Sequence, residues 1–258
     1  MDVDRLQEGL CTKRFGKRIV FLQEIDSTNN YAKKLASYGA EEGTVVIAET
    51  QTAGRGRLGR EWISPMGGLY LSIILRPKIR AVEAVKLVFV ASLAVAKVLN
   101  EIYRLSVETK WPNDVLVKGK KVCGILAESN TAGEKVNYTV IGLGVNANFS
   151  VEKTLPKELA ETATSLENEL GRKILFEELF RELIEKLETV YYLFLKEGFA
   201  PILDEWKKYA CFLGQKVEVA SGAEKLHGIA VDIDSDGSLI LKQNDSSIKL
   251  VSGDLSLN

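Results

Sequence analysis

The sequence predicts an α+β protein with a small all-β domain at its C-terminus, and three observations carry this. Short runs rich in β-branched and apolar residues, such as 44–49 (TVVIAE) and 69–75 (LYLSIIL), read as strands. Residues 82–103 repeat apolar side chains at helical spacing with few polar interruptions, which predicts a buried helix. After Cys211 the texture changes to short alternating runs separated by Gly, Asp and Ser, the pattern of a small β-barrel.

In chain order, residues 19–22 form a short apolar run that reads as a strand. Asp26, Ser27, Thr28 and Asn29 then offer N-caps for a helix over 31–37. Strand 44–49 enters a loop rich in glycine and arginine, and strand 69–75 leaves it. Beyond helix 82–103, residues 115–117, 122–128 and 138–143 read as strands, with turns at Gly119-Lys120 and over 130–133. Residues 176–194 form an amphipathic helix with Glu and Lys outward, and 199–209 a second helix. The last expected strands are 217–219, 227–233, 239–242 and 248–251. This divides the chain into a larger domain over 1–210 and a β domain over 211–258.

Composition narrows the function classes. The 34 Lys and Arg nearly cancel the 35 Asp and Glu, for a formal charge of -1. No global field draws this chain to nucleic acid or to an anionic membrane, although a local basic loop retains that capacity. Cys11, Cys123 and Cys211 are far apart and odd in number, against a disulfide framework or a CxxC zinc site. A reducing cytoplasm fits them. The polar, acidic N-terminus is no signal peptide. The most apolar stretch, 87–99, is too short to span a bilayer and contains Lys97, so no membrane association is expected.

The strongest local signal is GRGRLGR, residues 54–60. Guanidinium forks bind phosphate oxygens in pairs, and glycines let backbone approach a ligand. The same composition also suits a flexible solvated loop. Gly54, Gly56 and Gly59 satisfy GxGxxG, but Pro65 and a strand follow where a dinucleotide site needs a helix. KWPND, residues 110–114, holds Lys110, Asn113 and Asp114 in a short turn stiffened by Pro112, and by composition alone a capped turn suffices. Lys121 opens a strand of core residues (KVCGILAE), and GLGVN, 142–146, places two glycines and Asn146 after another; both patterns also occur as ordinary strand ends and turns. Two further patterns are set aside. Asp232, Asp234 and Asp236 imitate the front of an EF-hand, but Gln243 stands where a bidentate Glu is required. His227 is the only histidine and no GxSxG elbow exists, against a serine-hydrolase triad.

Taken in order, Ser27-Thr28-Asn29, Gln51 just before AGRGRLGR, KWPND, KxxGIL and GxGxN resemble the biotin–protein ligases. Each motif alone is weak, but five in the family's order, over nearly the whole chain, are highly specific. The resemblance implies a mixed sheet flanked by helices, related to the class II aminoacyl-tRNA synthetases, and an SH3-like barrel over 212–257. It implies synthesis of biotinyl-5′-AMP from biotin and ATP with Mg2+, then transfer of the biotinyl group to one lysine of a biotin carboxyl carrier domain. By position it assigns Ser27, Thr28, Asn29 and Gln51 to a biotin pocket, with Gly124 and Gly142 as backbone walls. It puts Arg55, Gly56 and Arg57 in a mobile loop closing over biotin and the adenylate, and Lys121 at the biotin carboxylate and reacting phosphate. It puts Lys110, Asn113, Asp114 and Asn146 around ATP, Asp114 as an Mg2+ ligand, and Trp62 over the adenine. A homodimer is implied as well.

One departure from the family bears on partners. Many bacterial members begin with a DNA-binding helix-turn-helix, whereas here the first expected strand begins near Ile19, so no sequence-specific DNA binding is expected. Leu58 stands where some members carry another basic residue. The nearest alternative is a lipoate or octanoate–protein ligase on a related fold, which the loop and KWPND disfavour. An alternative of another class is a nucleic-acid binder using the arginine loop; near-zero net charge and no interleaved aromatics weigh against it. The chemistry implied needs charge neutralisation rather than a base in its first step, because the carboxylate is already ionised near neutral pH. Arg55, Arg57, Lys121 and Mg2+ supply that charge. No nucleophile stands out, so the activated species is expected to be a bound adenylate rather than an acyl-enzyme. The base for the acceptor lysine stays unassigned.

Overall fold

A computed structural model describes residues 2–257 apart from Ala223 and Asp245. After a short helix α1 (Val3–Gln7), the chain builds a seven-stranded sheet from β1 (Ile19–Ile25), β2 (Val45–Gln51), β3 (Leu69–Leu75), β4 (Val107–Lys110), β5 (Asp114–Val117), β6 (Lys120–Ala132) and β7 (Lys135–Val145). The strand order is β1-β2-β3-β7-β6-β5-β4. β1 and β2 are parallel and every other adjacent pair is antiparallel, so the sheet is mixed. A parallel pair needs a crossover, which α2 (Thr28–Ser37) supplies.

Strand β3 is buried along its full length, which accounts for its unbroken apolar run. Alternation sorts its side chains. Leu69, Leu71, Ile73 and Leu75 enter the main core, whereas Ile74 packs with Ala32, Ala36, Val46 and Val140 beneath α2. Ser72, fully buried, lies on the α2 side and reaches Thr28 and Asn29.

The main core lies under α3 (Leu87–Glu101), where twelve residues are buried. The single helix expected over 82–103 is in fact a 3-10 segment, Ala81–Lys86, followed by α3. Val82 and Val85 are 72% and 43% exposed, so the apolar pattern there does not face the core. Three short helices that periodicity did not reveal follow the sheet: α4 (Val151–Thr154), α5 (Lys157–Thr162) and α6 (Leu166–Leu170). Then α7 (Phe176–Glu197) and α8 (Ala200–Lys207) close the core over α3. Trp206 of α8 meets Phe89 edge-on at 4.9 Å and donates to Ser92 Oγ at 2.8 Å, which satisfies its buried N–H. Buried Glu188 of α7 accepts from the backbone N–H groups of Lys13, Arg14 and Phe15 and so fastens the segment leading to β1.

The C-terminal part is a five-stranded antiparallel sheet of β8 (Lys216–Ser221), β9 (Glu224–Ile233), β10 (Leu239–Gln243), β11 (Ser246–Leu250) and β12 (Asp254–Leu257). Its order, β11-β10-β9-β8-β12, includes a last strand beyond the four expected. The acidic EF-hand imitation is a hairpin turn: Asp234 N–H donates to Ser238 O at 2.8 Å, and Asp234 and Asp236 pair with Lys249. The sheet docks on the larger part through Trp111, whose Nε1 donates to Gly237 O at 2.9 Å. No helix of the described residues is long and apolar enough to cross a membrane.

Candidate active site

A cavity of about 640 Å3 opens at the meeting point of the α2 N-terminus, the arginine loop, the β4–β5 turn and the middle of β6 and β7. Every residue that the resemblance assigned to the site lines it: Ser27, Thr28, Asn29, Gln51, Arg55, Gly56, Arg57, Trp62, Lys110, Asn113, Asp114, Lys121, Gly124, Gly142 and Asn146.

One side of the cavity is a hydrogen-bonded polar rim. Gln51 Oε1 accepts from Thr28 N at 2.8 Å, and Gln51 Nε2 donates to Ser64 Oγ at 2.8 Å. Asn29 donates to Glu128 at 3.0 Å and accepts from Ser72 at 2.6 Å. Gly142 is required beside it, because a Cβ there would stand 2.1 Å from Asn29 Oδ1. Leu126 and Ile125 add apolar surface.

The arginine loop is folded against this rim. Gly56 N–H donates to Arg60 O at 2.8 Å, and Arg55 bridges to Glu61 across a tight turn. Gly54 answers to a contact, since a Cβ there would meet Trp62 O at 2.2 Å, whereas Gly59 answers to its φ of 74°. The three cations diverge. Arg55 reaches Asn30 and Glu128, Arg57 donates to Asn113 Oδ1 at 3.0 Å, and Arg60 pairs with Asp254 of β12 at 2.5 Å. Burial pulls the Arg57 guanidinium below its ordinary value, opposed by the charges of Asp254 and Asp114. Leu58, in the family's variable position, is 70% exposed with φ of 55°.

KWPND forms the hairpin between β4 and β5, with Lys110 opposite Asp114 and a cis Trp111–Pro112 bond. Asn113 fixes this turn to β6, donating to Ile125 O and accepting from Ile125 N–H through its own backbone. Lys121 Nζ lies 2.8 Å from Asp114 Oδ1 at an angle outside hydrogen-bond geometry, and 5.2 Å from the Trp62 ring centre. Asn146 is structural in part: its Nδ2 donates to Thr164 O at 3.0 Å. The Trp62 ring lies over Gly124 and Gly144, where Cβ atoms would come within 2.8 and 2.5 Å of it. Trp62 Nε1 is buried without a hydrogen-bond partner in the chain, the mark of a site completed by a bound molecule, and Asp114 Oδ1 has only its ion pair with Lys121. Cys123 is no nucleophile, since burial pushes its thiol far up.

Sequence reasoning missed several participants. Ser64 carried no more signal than any small residue, and Gly144 entered only as the second glycine of GLGVN. Ser72 was legible in principle, as the one hydroxyl in an apolar strand. Glu128 was taken only as a strand end. Asp254 lies 194 residues from the arginine it holds, beyond the reach of any local pattern.

The fold and this cavity define a ligase of the biotin/lipoate class: residues 21–146 match the Biotin/lipoate A/B protein ligase family, and residues 212–257 the Biotin protein ligase C terminal domain. The chain is 36% identical over 250 residues to the Bifunctional ligase/repressor BirA of Bacillus subtilis strain 168, covering 96% of this chain and 77% of that protein. It is 38% identical over 225 residues to the Biotin–[acetyl-CoA-carboxylase] ligase of Paracoccus denitrificans, covering 86% and 92%. The biotin protein ligase of Aquifex aeolicus, solved in complex with biotin and ATP, superposes with a TM-score of 0.81 at 30% identity, covering 94% of this chain and 99% of that one. The chain belongs to the biotin protein ligase family.

Proposed function

We propose that this chain activates biotin with ATP to biotinyl-5′-AMP and transfers the biotinyl group to a lysine of a biotin carboxyl carrier domain. The observation that carries the reading is the convergence of a neutral polar rim, Ser27 to Asn29 with Gln51, and three cations, Arg55, Arg57 and Lys121, on one cavity. That pairing fits a neutral bicyclic ureide whose carboxylate must meet a polyphosphate. The family model spans biotin and lipoate ligases, but the relatives from Paracoccus denitrificans and Aquifex aeolicus carry biotin in their names.

In this reading the rim holds the biotin rings and Lys121 meets the carboxylate. Two like charges, carboxylate and α-phosphate, must then approach each other; Lys121 and Arg57 lower that repulsion in a cavity partly shielded from water. Trp62, flat over Gly124 and Gly144, walls the adenylate side, and Lys110, Asn113 and Asn146 line the nucleotide end. A loop closed by Arg55 and Arg57 keeps the mixed anhydride from water until an acceptor amine arrives.

Among the described residues no group of three His, Cys, Asp or Glu forms a metal cage. Mg2+ commonly binds through one carboxylate plus substrate phosphates, and Asp114, whose Oδ1 faces Lys121 at 2.8 Å but accepts no hydrogen bond, would hold it. So placed, Mg2+ would neutralise phosphate charge. The readings of a cytoplasmic location and a homodimer rest on the family likeness, with three free cysteines suiting the former. A nucleic-acid track is disfavoured, because Arg55, Arg57 and Arg60 are each engaged within the fold.

The test is to incubate the protein with ATP, Mg2+ and either biotin or lipoate and to weigh the products. Biotinyl-AMP supports the reading; lipoyl-AMP alone would replace it with the lipoate alternative.

A further inference from the structure

We infer that Glu128 is a positioning residue that sets the donor–acceptor sense of the pocket rim. Glu128 does not itself line the cavity, yet it stands at the head of a buried chain of hydrogen bonds that does. Its carboxylate accepts from Asn29 Nδ2 at 3.0 Å, Lys33 Nζ at 2.7 Å and Arg55 at 3.0 Å. An ionised carboxylate can only accept. With the Leu126 carbonyl, 3.3 Å away, it therefore holds the amino end of the Asn29 amide, and Asn29 Oδ1 is turned to Ser72, 2.6 Å away. An amide oxygen also only accepts, so the single proton of the Ser72 hydroxyl goes there. Ser72 Oγ lies 2.8 Å from Thr28 Oγ1 as well, and with its own proton committed to Asn29 it has only lone pairs to offer there, while Gln51 Oε1 accepts from Thr28 Oγ1 at 3.1 Å. The Asn29 and Ser72 protons thus point toward Glu128, and the one Thr28 hydroxyl proton is taken up within the rim. Thr28 is left facing the cavity with its lone pairs, an acceptor suited to a ligand N–H. The same carboxylate anchors Arg55, so one residue orients the rim and one loop cation together.

This rests on the assignment of Thr28 and Asn29 to the biotin pocket, and the experiment separates the two. Glu128→Gln keeps size and can still accept, but its amide can turn either way, so the charged anchor of the chain is lost and only the longer bond to the Leu126 carbonyl holds its sense. Biotin affinity of the full-length protein, by calorimetry, should fall about tenfold or more, as loss of a charge-assisted bond implies. KM for ATP should move less than about twofold. In a Ser72→Ala background, where the relay is already cut, Glu128→Gln should cost less than in the wild type, leaving only its effect through Arg55, a coupling that general destabilisation would not produce. Ser72→Ala alone reads the same relay if the Glu128 variant does not fold. An unchanged biotin affinity in Glu128→Gln, equal losses for biotin and ATP, or additive losses with Ser72→Ala would each overturn the inference. If Asn29→Ala also leaves biotin binding unchanged, the pocket assignment itself fails and the inference falls with it.

Discussion

Lys121 Nζ stands 2.8 Å from Asp114 Oδ1, tying the start of β6 to the KWPND hairpin across the floor of the cavity. The strand register brings this about, with Asp114 paired to Gly124 and a bulge beyond Val115 shifting Lys121 opposite Leu116. The ammonium is a third exposed, held by a carboxylate and an indole face, and so is presented to a ligand rather than folded away.

Lys121→Ala should therefore reduce adenylate formation by at least about tenfold, the equivalent of one charge-assisted hydrogen bond of roughly 1.5–3 kcal/mol. Lys118→Ala and Lys120→Ala should be nearly silent, since Lys118 points out to Glu169 and Lys120 is exposed. Single-turnover rates for the three variants decide this. Equal losses at all three would reduce the lysines to a diffuse positive charge.

Arg57→Ala should make biotinyl-AMP but lose more of it to solution. In this structure the loop is already folded, with Arg57 on Asn113 and Arg60 on Asp254, rather than the unstructured segment its glycines suggest. Ligand contacts should tighten it further, and trypsin cleavage within 55–60 should slow with biotin present. Hydroxylamine trapping measures the leak. No change in either trapping or cleavage would sink the closing-loop account.

Gly144→Ala puts a methyl where the Trp62 ring lies, 2.5 Å from its Nε1. Overpacking of this kind costs about 1–3 kcal/mol, or else the ring is expelled. The melting temperature should drop, or the tryptophan emission should shift toward that of an exposed indole with weaker adenylate binding. A variant with native melting, native emission and native adenylate affinity would show that Trp62 does not rest there in solution.

The Glu128 network carries a pH signature. Burial pushes this carboxyl up, but hydrogen bonds from Lys33 and Asn29 and the charges of Lys33 and Arg55 outweigh it, leaving it below its ordinary 4.5. A carboxyl depressed on folding contributes stability that is complete above its ordinary value and is lost as pH falls through the folded value. The stability gap between wild type and Glu128→Gln should thus be flat near neutrality and close only in acid, below about 4.5. Denaturant melts across that range read it; a gap that closes between about pH 6 and 8 would point to another titrating group.

How much of this was legible in the sequence depended on how local the cause was. β3 announced itself because both its faces are buried, and the arginine loop because its chemistry is dense within seven residues. β4 was silent: four residues with two half-buried polar side chains give no period to read. Helices α4 to α6 are four to six residues long, too short for a helical repeat. The turn expected over 130–133 began late because β6 runs on to Ala132 before Gly133 reverses the chain. Motif order brought together the residues that line the cavity. It did not reveal Glu128 and Ser72, which act through neighbours, or Asp254, whose partner is set by how the C-terminal sheet docks.

The most direct test of the central claim is ATP–pyrophosphate exchange with the purified protein. A cavity that joins a carboxylate to the α-phosphate of ATP predicts exchange that needs biotin and Mg2+ and collapses in Lys121→Ala. Exchange that proceeds without biotin, or with lipoate only, would contradict it.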